Sequence, residues 1–154
     1  SHFIDLIYWV FGELKNIKTN LRDFNHNKLT DFEDSGVVFF ELVRGGIGTI
    51  NFSTSVYEEN LESSLTIIGD NGSIKVGGQY MNKVDYCNIK GYQMPKLENT
   101  RPGNDYGSYK GSAQNHDYVI ENVVNVMNNR GKIKTNALDG LKVVEIIEKI
   151  YNSV

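Results

Sequence analysis

The order of elements in this chain predicts an α+β fold, an open and mostly antiparallel β-sheet with helices packed on one face. Three observations carry the prediction. An apolar helical segment opens the chain, two pairs of β-rich runs are each joined by a glycine-bearing turn, and two amphipathic segments close it. Strands grouped together, with helices before and after them, do not fit the strand–helix alternation of a parallel sheet. Residues 1–154 read as a single domain with room for one core.

In the opening segment, eight of the nine residues from Phe3 to Phe11 are apolar or aromatic, and Gly12 ends the run. A helix apolar on all sides is expected to be buried. Next, 14–22 alternates in strand fashion, with Lys15, Ile17, Thr19 and Leu21 on one side, and 23–28 is a polar turn. The run 35–43 places Val38, Phe40 and Leu42 on one face. Arg44-Gly45-Gly46 then turns the chain into 47–53. A second hairpin pairs 65–68 with 73–76 around Gly69-Asp70-Asn71-Gly72, and 84–89 is a further strand.

From 91 to 115 no apolar period remains, and a loop of that length inside a domain points to function or disorder. Two helices follow. The first carries Val119, Ile120, Val123, Val124 and Met127 in one stripe and is expected to stop at Gly131. The second starts with an Asn136/Asp139 capping pair and is expected to bury Leu141, Val144, Ile147, Ile150 and Tyr151. Val37-Val38-Phe39-Phe40 supplies apolar residues to both sides of its strand. The second sheet face is therefore expected to be covered by a partner subunit.

Composition narrows the function. The net charge of −3 is dispersed, which gives nucleic acid or another polyanion no electrostatic footing. The N-terminal apolar run is too short to span a bilayer and lacks the basic flank of a signal peptide, so no membrane association and a cytoplasmic address are expected. Cys87 is the single cysteine, and His2, His26 and His116 have no metal-motif spacing, so no metal is expected. No Gly-x-Ser-x-Gly elbow occurs. Gly45-Gly46-Ile47-Gly48 falls in a hairpin, where it cannot open a phosphate-binding helix. The carboxylates at 31–34, 58–59 and 62 read as solvated turns.

His2 and Asp5, three residues apart, share one helix face. That spacing fits a core histidine satisfied by hydrogen bonds, and it also fits an acid or base tuned by a carboxylate. His2-Phe3-Ile4-Asp5-Leu6-Ile7-Tyr8-Trp9-Val10-Phe11-Gly12 resembles the H-x-x-D-hydrophobic-W-x-x-G segment of the Gfo/Idh/MocA oxidoreductases, which are nicotinamide-dependent sugar and cyclitol dehydrogenases. Asp31-Phe32-Glu33-Asp34-Ser35-Gly36 with its hairpin is similar to the family's E-D-x-G strand. The segment from Thr54 to Gly78 resembles the branch that oxidises nucleotide-linked N-acetylglucosaminuronic acid at the 3-hydroxyl in surface-polysaccharide synthesis. His116 before a helix and Asp139-Gly140-Leu141-Lys142 leading to Tyr151-Asn152-Ser153 continue the likeness to the end.

The resemblance implies a dihydrodipicolinate reductase-like, glyceraldehyde-3-phosphate dehydrogenase-like C-terminal domain of a larger enzyme. The family's Rossmann domain, its Glu-Lys-Pro lysine and its NAD or NADP site would lie upstream. By the same likeness His2 is the catalytic proton acceptor. The chain would be inactive alone and would form a homodimer or homotetramer through its sheet face. As the substrate wall for a sugar or sugar nucleotide, the expected residues are Asp5, Tyr57, Asn60, Tyr106, Tyr109 and His116, with Arg101 and Lys110 for a diphosphate or carboxylate. The competing reading is a non-catalytic sheet domain for oligomerisation or ligand binding.

Overall fold

The computed structural model describes residues 1–107 and 110–154, with only the backbone described at 110, 112 and 113. The chain divides into two compact units, Ser1–Val56 with Ile133–Val154, and Tyr57–Lys132. The architecture is α+β and the strand pairs are all antiparallel, as the turn signals predict.

In the first unit, β1 (Leu14–Arg22), β2 (Ser35–Leu42) and β3 (Ile47–Ser53) form one sheet with β2 central. Helices α1 (His2–Phe11) and α3 (Ala137–Tyr151) pack on its inner face, where Ile7, Leu14, Val38, Phe40, Ile146 and Ile150 form the core. Val38 lies opposite Thr19 on one side and Ile50 on the other, so the register places this alternate set inward. Gly48 faces the Phe40 ring, which fills the space where a Cβ would stand.

Three local expectations change. A bulge at Asn16, φ 51°, shifts the β1 register between Lys15 and Lys18. Leu14 and Ile17 thereby both reach the core, while Lys15 leaves the Ile17/Thr19/Leu21 face and lies opposite Glu41. In α3 the buried stripe is Val143, Ile146 and Ile150, whereas Leu141, Val144 and Tyr151 are exposed and Ile147 is half-buried. The helix carries two apolar stripes, and contact with β1 and α1 selects one of them. The third change is Asp34. This residue is buried at 2% exposure, not part of a solvated turn, and accepts hydrogen bonds from the amides of Phe24 (3.1 Å) and Asn25 (2.8 Å).

The α3 start is capped as expected. Asn136 Oδ1 accepts from the amides of Leu138 and Asp139 (2.9 and 3.1 Å), and Asp139 Oδ2 accepts from the Asn136 amide (3.3 Å). Its far end is tied down as well, with Ser153 Oγ 2.6 Å from Thr19 Oγ1 and the Tyr151 hydroxyl donating to Glu33 at 2.5 Å. On the outer face of the sheet, Lys18, Asn20, Arg22, Phe24, Val37 and Phe39 line an open groove.

In the second unit, β4 (Leu65–Gly69), β5 (Gly72–Gly77) and β6 (Lys83–Ile89) form another three-stranded sheet. At Gly72, φ 152°, a Cβ would meet the backbone of Asn88 and Ile89, so the second hairpin needs glycine there. The expected long loop is interrupted by a small hairpin, β7 (Gly103–Asp105) with β8 (Lys110–Ala113). Helix α2 (His116–Met127) ends at Met127, with Asn128 as its C-cap, four residues before Gly131. Its stripe of Val119, Ile120, Val123, Val124 and Met127 is exposed. The carboxylate of Glu62 pairs with Lys75 at 2.7 Å instead of standing free in a turn. Among the described residues no helix is long and apolar enough to cross a membrane.

Candidate active site

Helix α1 sorts its side chains by the helical period. Ile4, Ile7, Tyr8 and Phe11 pack into the core, while His2, Asp5 and Trp9 occupy one exposed face. The expectation of a helix buried on all sides is corrected, since Trp9 is 79% exposed. One face of α1 packs into the core, Phe3 and Leu6 are half-buried, and Trp9 and Val10 are exposed. His2 is open to solvent and therefore not a core histidine of this chain, and no hydrogen bond joins it to Asp5. The helix holds the two side chains one turn apart on its exposed face.

The remaining expected site residues fall in the unit Tyr57–Lys132. Tyr57 is 87% exposed. Asn60 is exposed too, and its carbonyl accepts from Gln79 Nε2 at 2.9 Å, which ties this loop to the segment after β5. Tyr106 lies against Gly111 of β8 and is 57% exposed. His116 is the exposed first residue of α2. Tyr109 lies outside the described residues, as does the side chain of Lys110.

Arg101 is engaged within the chain. Its Nη1 donates to both Asp117 carboxylate oxygens at 2.8 Å and to the Gln114 carbonyl at 3.1 Å, and its Nη2 donates to the Tyr118 hydroxyl at 2.8 Å. The guanidinium also stacks 4.2 Å from the Tyr118 ring centroid. The shared hydrogen bond raises the Arg101 pKa and lowers that of Asp117, so the pair stays charged through neutral pH. A substrate anion reaching Arg101 would have to compete with Asp117. Sequence reasoning named Arg101 and missed this partner, because nothing local marks two residues sixteen positions apart as a pair.

Residues 1–154 match the oxidoreductase family's C-terminal alpha/beta domain over their whole length. The chain belongs to the Gfo/Idh/MocA oxidoreductase family. No curated protein sequence matches this Gfo/Idh/MocA domain. It is similar to the WlbA dehydrogenase of Bordetella pertussis, solved with NADH and UDP-GlcNAcA, at 25% identity and a TM-score of 0.77, covering 99% of this chain and 40% of that one. The WlbA dehydrogenase of Chromobacterium violaceum, solved with the same two ligands, is 26% identical with a TM-score of 0.74, covering 99% and 41%. Levoglucosan dehydrogenase, in complex with NADH and levoglucosan, shares the fold at 18% identity and a TM-score of 0.72, covering 99% and 45%. The domain thus spans about two fifths of the length of the WlbA chains it resembles.

Proposed function

We propose that this chain is the substrate-binding and oligomerisation part of a nicotinamide-dependent dehydrogenase that acts on a secondary hydroxyl of a sugar nucleotide, UDP-N-acetylglucosaminuronate. The observation that carries the reading is the open face of α1, where His2 and Asp5 stand exposed one helical turn apart. Likeness to two dehydrogenases solved with NADH and UDP-GlcNAcA supports the substrate class.

The chain's own residues do not fit a dinucleotide. Gly45 and Gly46, φ 98° and 111°, lie in the β2–β3 turn, and among the described residues no glycine-rich turn leads from a strand into a helix. NAD or NADP is therefore assigned to the remainder of a longer protein, and the chain alone is expected to be inactive. What this chain supplies is proton handling and a wall. The His2 imidazole takes the proton released as the carbinol becomes a carbonyl, and Asp5 orients it. Tyr57, Asn60, Tyr106, Tyr109, Lys110 and His116 offer aromatic plates and polar groups to the sugar nucleotide. Arg101 serves this wall by fixing Asp117 and the start of α2, and it meets a substrate carboxylate or phosphate when Asp117 gives way. The outer face of the β1–β3 sheet is covered by a second copy in a homodimer or homotetramer, and the protein works in the cytoplasm.

The test is to incubate the full-length protein with UDP-N-acetylglucosaminuronate and each nicotinamide cofactor while following reduced nicotinamide. Turnover of the sugar nucleotide is expected. No turnover with it, alongside turnover of a free sugar, would remove the substrate assignment. Inactivity toward both would favour the binding-module reading.

A further inference from the structure

We propose that Lys75 and Gln79 are positioning residues for the sugar nucleotide, because they hold the loop that carries Tyr57 and Asn60, Lys75 through Glu62 and Gln79 directly at Asn60. The proposal rests on the assignment of those two loop residues to the substrate wall. All of the contacts lie within the unit Tyr57–Lys132. Residues 57–64 form no strand or helix, so contacts with other segments must set the shape of this loop. Its backbone is held in a costly form. The Glu59 amide donates to the Tyr57 carbonyl at 2.7 Å across a three-residue turn, and Glu58 between them sits at φ 60°, which a glutamate rarely adopts. A backbone of that kind persists only where its surroundings fix it.

The fixing contacts come from β5, β6 and the segment after β5. Gln79 Nε2 donates to the Asn60 carbonyl at 2.9 Å, and the Ser63 amide donates to the Gly78 carbonyl at 2.9 Å. Between these two ties, Glu62 Oε1 meets Lys75 Nζ at 2.7 Å. Lys75 Nζ is also 3.9 Å from Asp85 Oδ2. Lys75 lies opposite Tyr86 and Val76 opposite Val84, which leaves Asp85 as the unpaired residue of a bulge beside Lys75. The two carboxylates converge over Gly77, where a Cβ would collide with Asp85 and stand 3.3 Å from Glu62 Oε1. Lys75 thus neutralises two like charges, and without it their repulsion would drive Glu62 away from the sheet. The hydrogen bond between Lys75 and Glu62 lowers the Glu62 pKa and raises that of Lys75, so both stay charged through neutral pH. A partly exposed ion pair adds little to global stability. Its place two residues from Asn60 gives this one a local task.

The full-length protein is assayed with UDP-N-acetylglucosaminuronate and the nicotinamide cofactor that supports turnover, and amide exchange at 59–63 is followed in the same variants. Lys75→Met should raise KM for the sugar nucleotide at least about twofold, with kcat near the parent's, and should speed exchange at 59–63. Gln79→Ala should do the same, and it decides the matter if Lys75→Met does not fold. Lys75→Arg keeps the charge and is expected to retain the parent's KM. Lys142→Met breaks an ion pair of 2.8 Å with Glu145 in the other unit and should move neither KM nor exchange at 59–63. A folded Lys75→Met or Gln79→Ala enzyme with the parent's KM overturns the positioning role, as does an equal rise in Lys142→Met or in Lys75→Arg. A parent protein that does not turn over the sugar nucleotide overturns the substrate reading itself, and this proposal with it.

Discussion

Arg101 and Asp117 form a charged pair in which one guanidinium nitrogen lies 2.8 Å from both carboxylate oxygens, and this pair anchors the first turn of α2. The arginine simultaneously reaches the Gln114 carbonyl and the Tyr118 hydroxyl. A lysine keeps the charge but cannot place several planar donors at once or stack on the ring. Arg101→Lys should therefore speed amide hydrogen exchange at 116–119, whereas Arg130→Lys should leave it unchanged. Equal exchange in the two variants would show that the helix start is held by other contacts.

His2 is exposed, which separates its chemistry from stability. In the full-length protein, His2→Asn should lower kcat by about 10²–10⁴-fold, the usual contribution of a general base, with a smaller change in KM. The Tm should stay within a degree or so of the parent, because surface substitutions rarely exceed about 0.5 kcal/mol. Full turnover in His2→Asn would end the catalytic assignment.

The two stripes of α3 make opposite predictions. Ile146, 1% exposed, packs in the core, so Ile146→Ala should cost about 2–5 kcal/mol in urea unfolding. Val144, 61% exposed, should cost no more than about 0.5 kcal/mol as alanine. Similar losses at the two positions would mean that the helix is rotated from the orientation described.

Asp34 predicts an acid-sensitive loop. Burial alone would raise its pKa, but hydrogen bonds from Asn25, Ser35, Phe24 and His26 outweigh that and hold it well below the usual carboxylate range. A depressed folded-state pKa stabilises above the unfolded value, about 3.9, and that stabilisation fades as pH falls through the folded value. The Tm gap between the parent chain and Asp34→Asn should thus be constant from pH 7 to 5 and shrink progressively below about pH 4. A gap that widens on acidification would contradict a native-state carboxylate.

Val37 is 48% exposed on the outer sheet face, beside Phe39 and Lys18. If a second copy covers that face, Val37→Lys should convert a dimer or tetramer to monomer in sedimentation while leaving the circular dichroism unchanged. An unaltered sedimentation coefficient would move the subunit contact elsewhere.

Strands β1 to β6, the turns of the first two hairpins and the capped start of α3 were legible in the sequence because each is a local matter. Alternation sets β2, glycine φ sets the hairpins, and Asn136 and Asp139 satisfy amides within one turn. The shared helix face of His2 and Asp5 was equally visible, although the exposure of Trp9 beside them was not, and the family followed from several such segments in order. Tertiary structure decided what depends on distant partners. Both stripes of α3 are apolar, so periodicity could not say which one meets β1, and packing chose Val143, Ile146 and Ile150. The bulge at Asn16 changed which β1 side chains point inward. Asp34 reads as a surface acid until amides nine and ten residues earlier fold onto it, and Arg101 reads as a free cation until α2 brings Asp117 beside it. A hydrogen bond or ion pair between remote residues leaves no periodic trace in the chain, because its energy is realised only after the backbone has brought the two ends together.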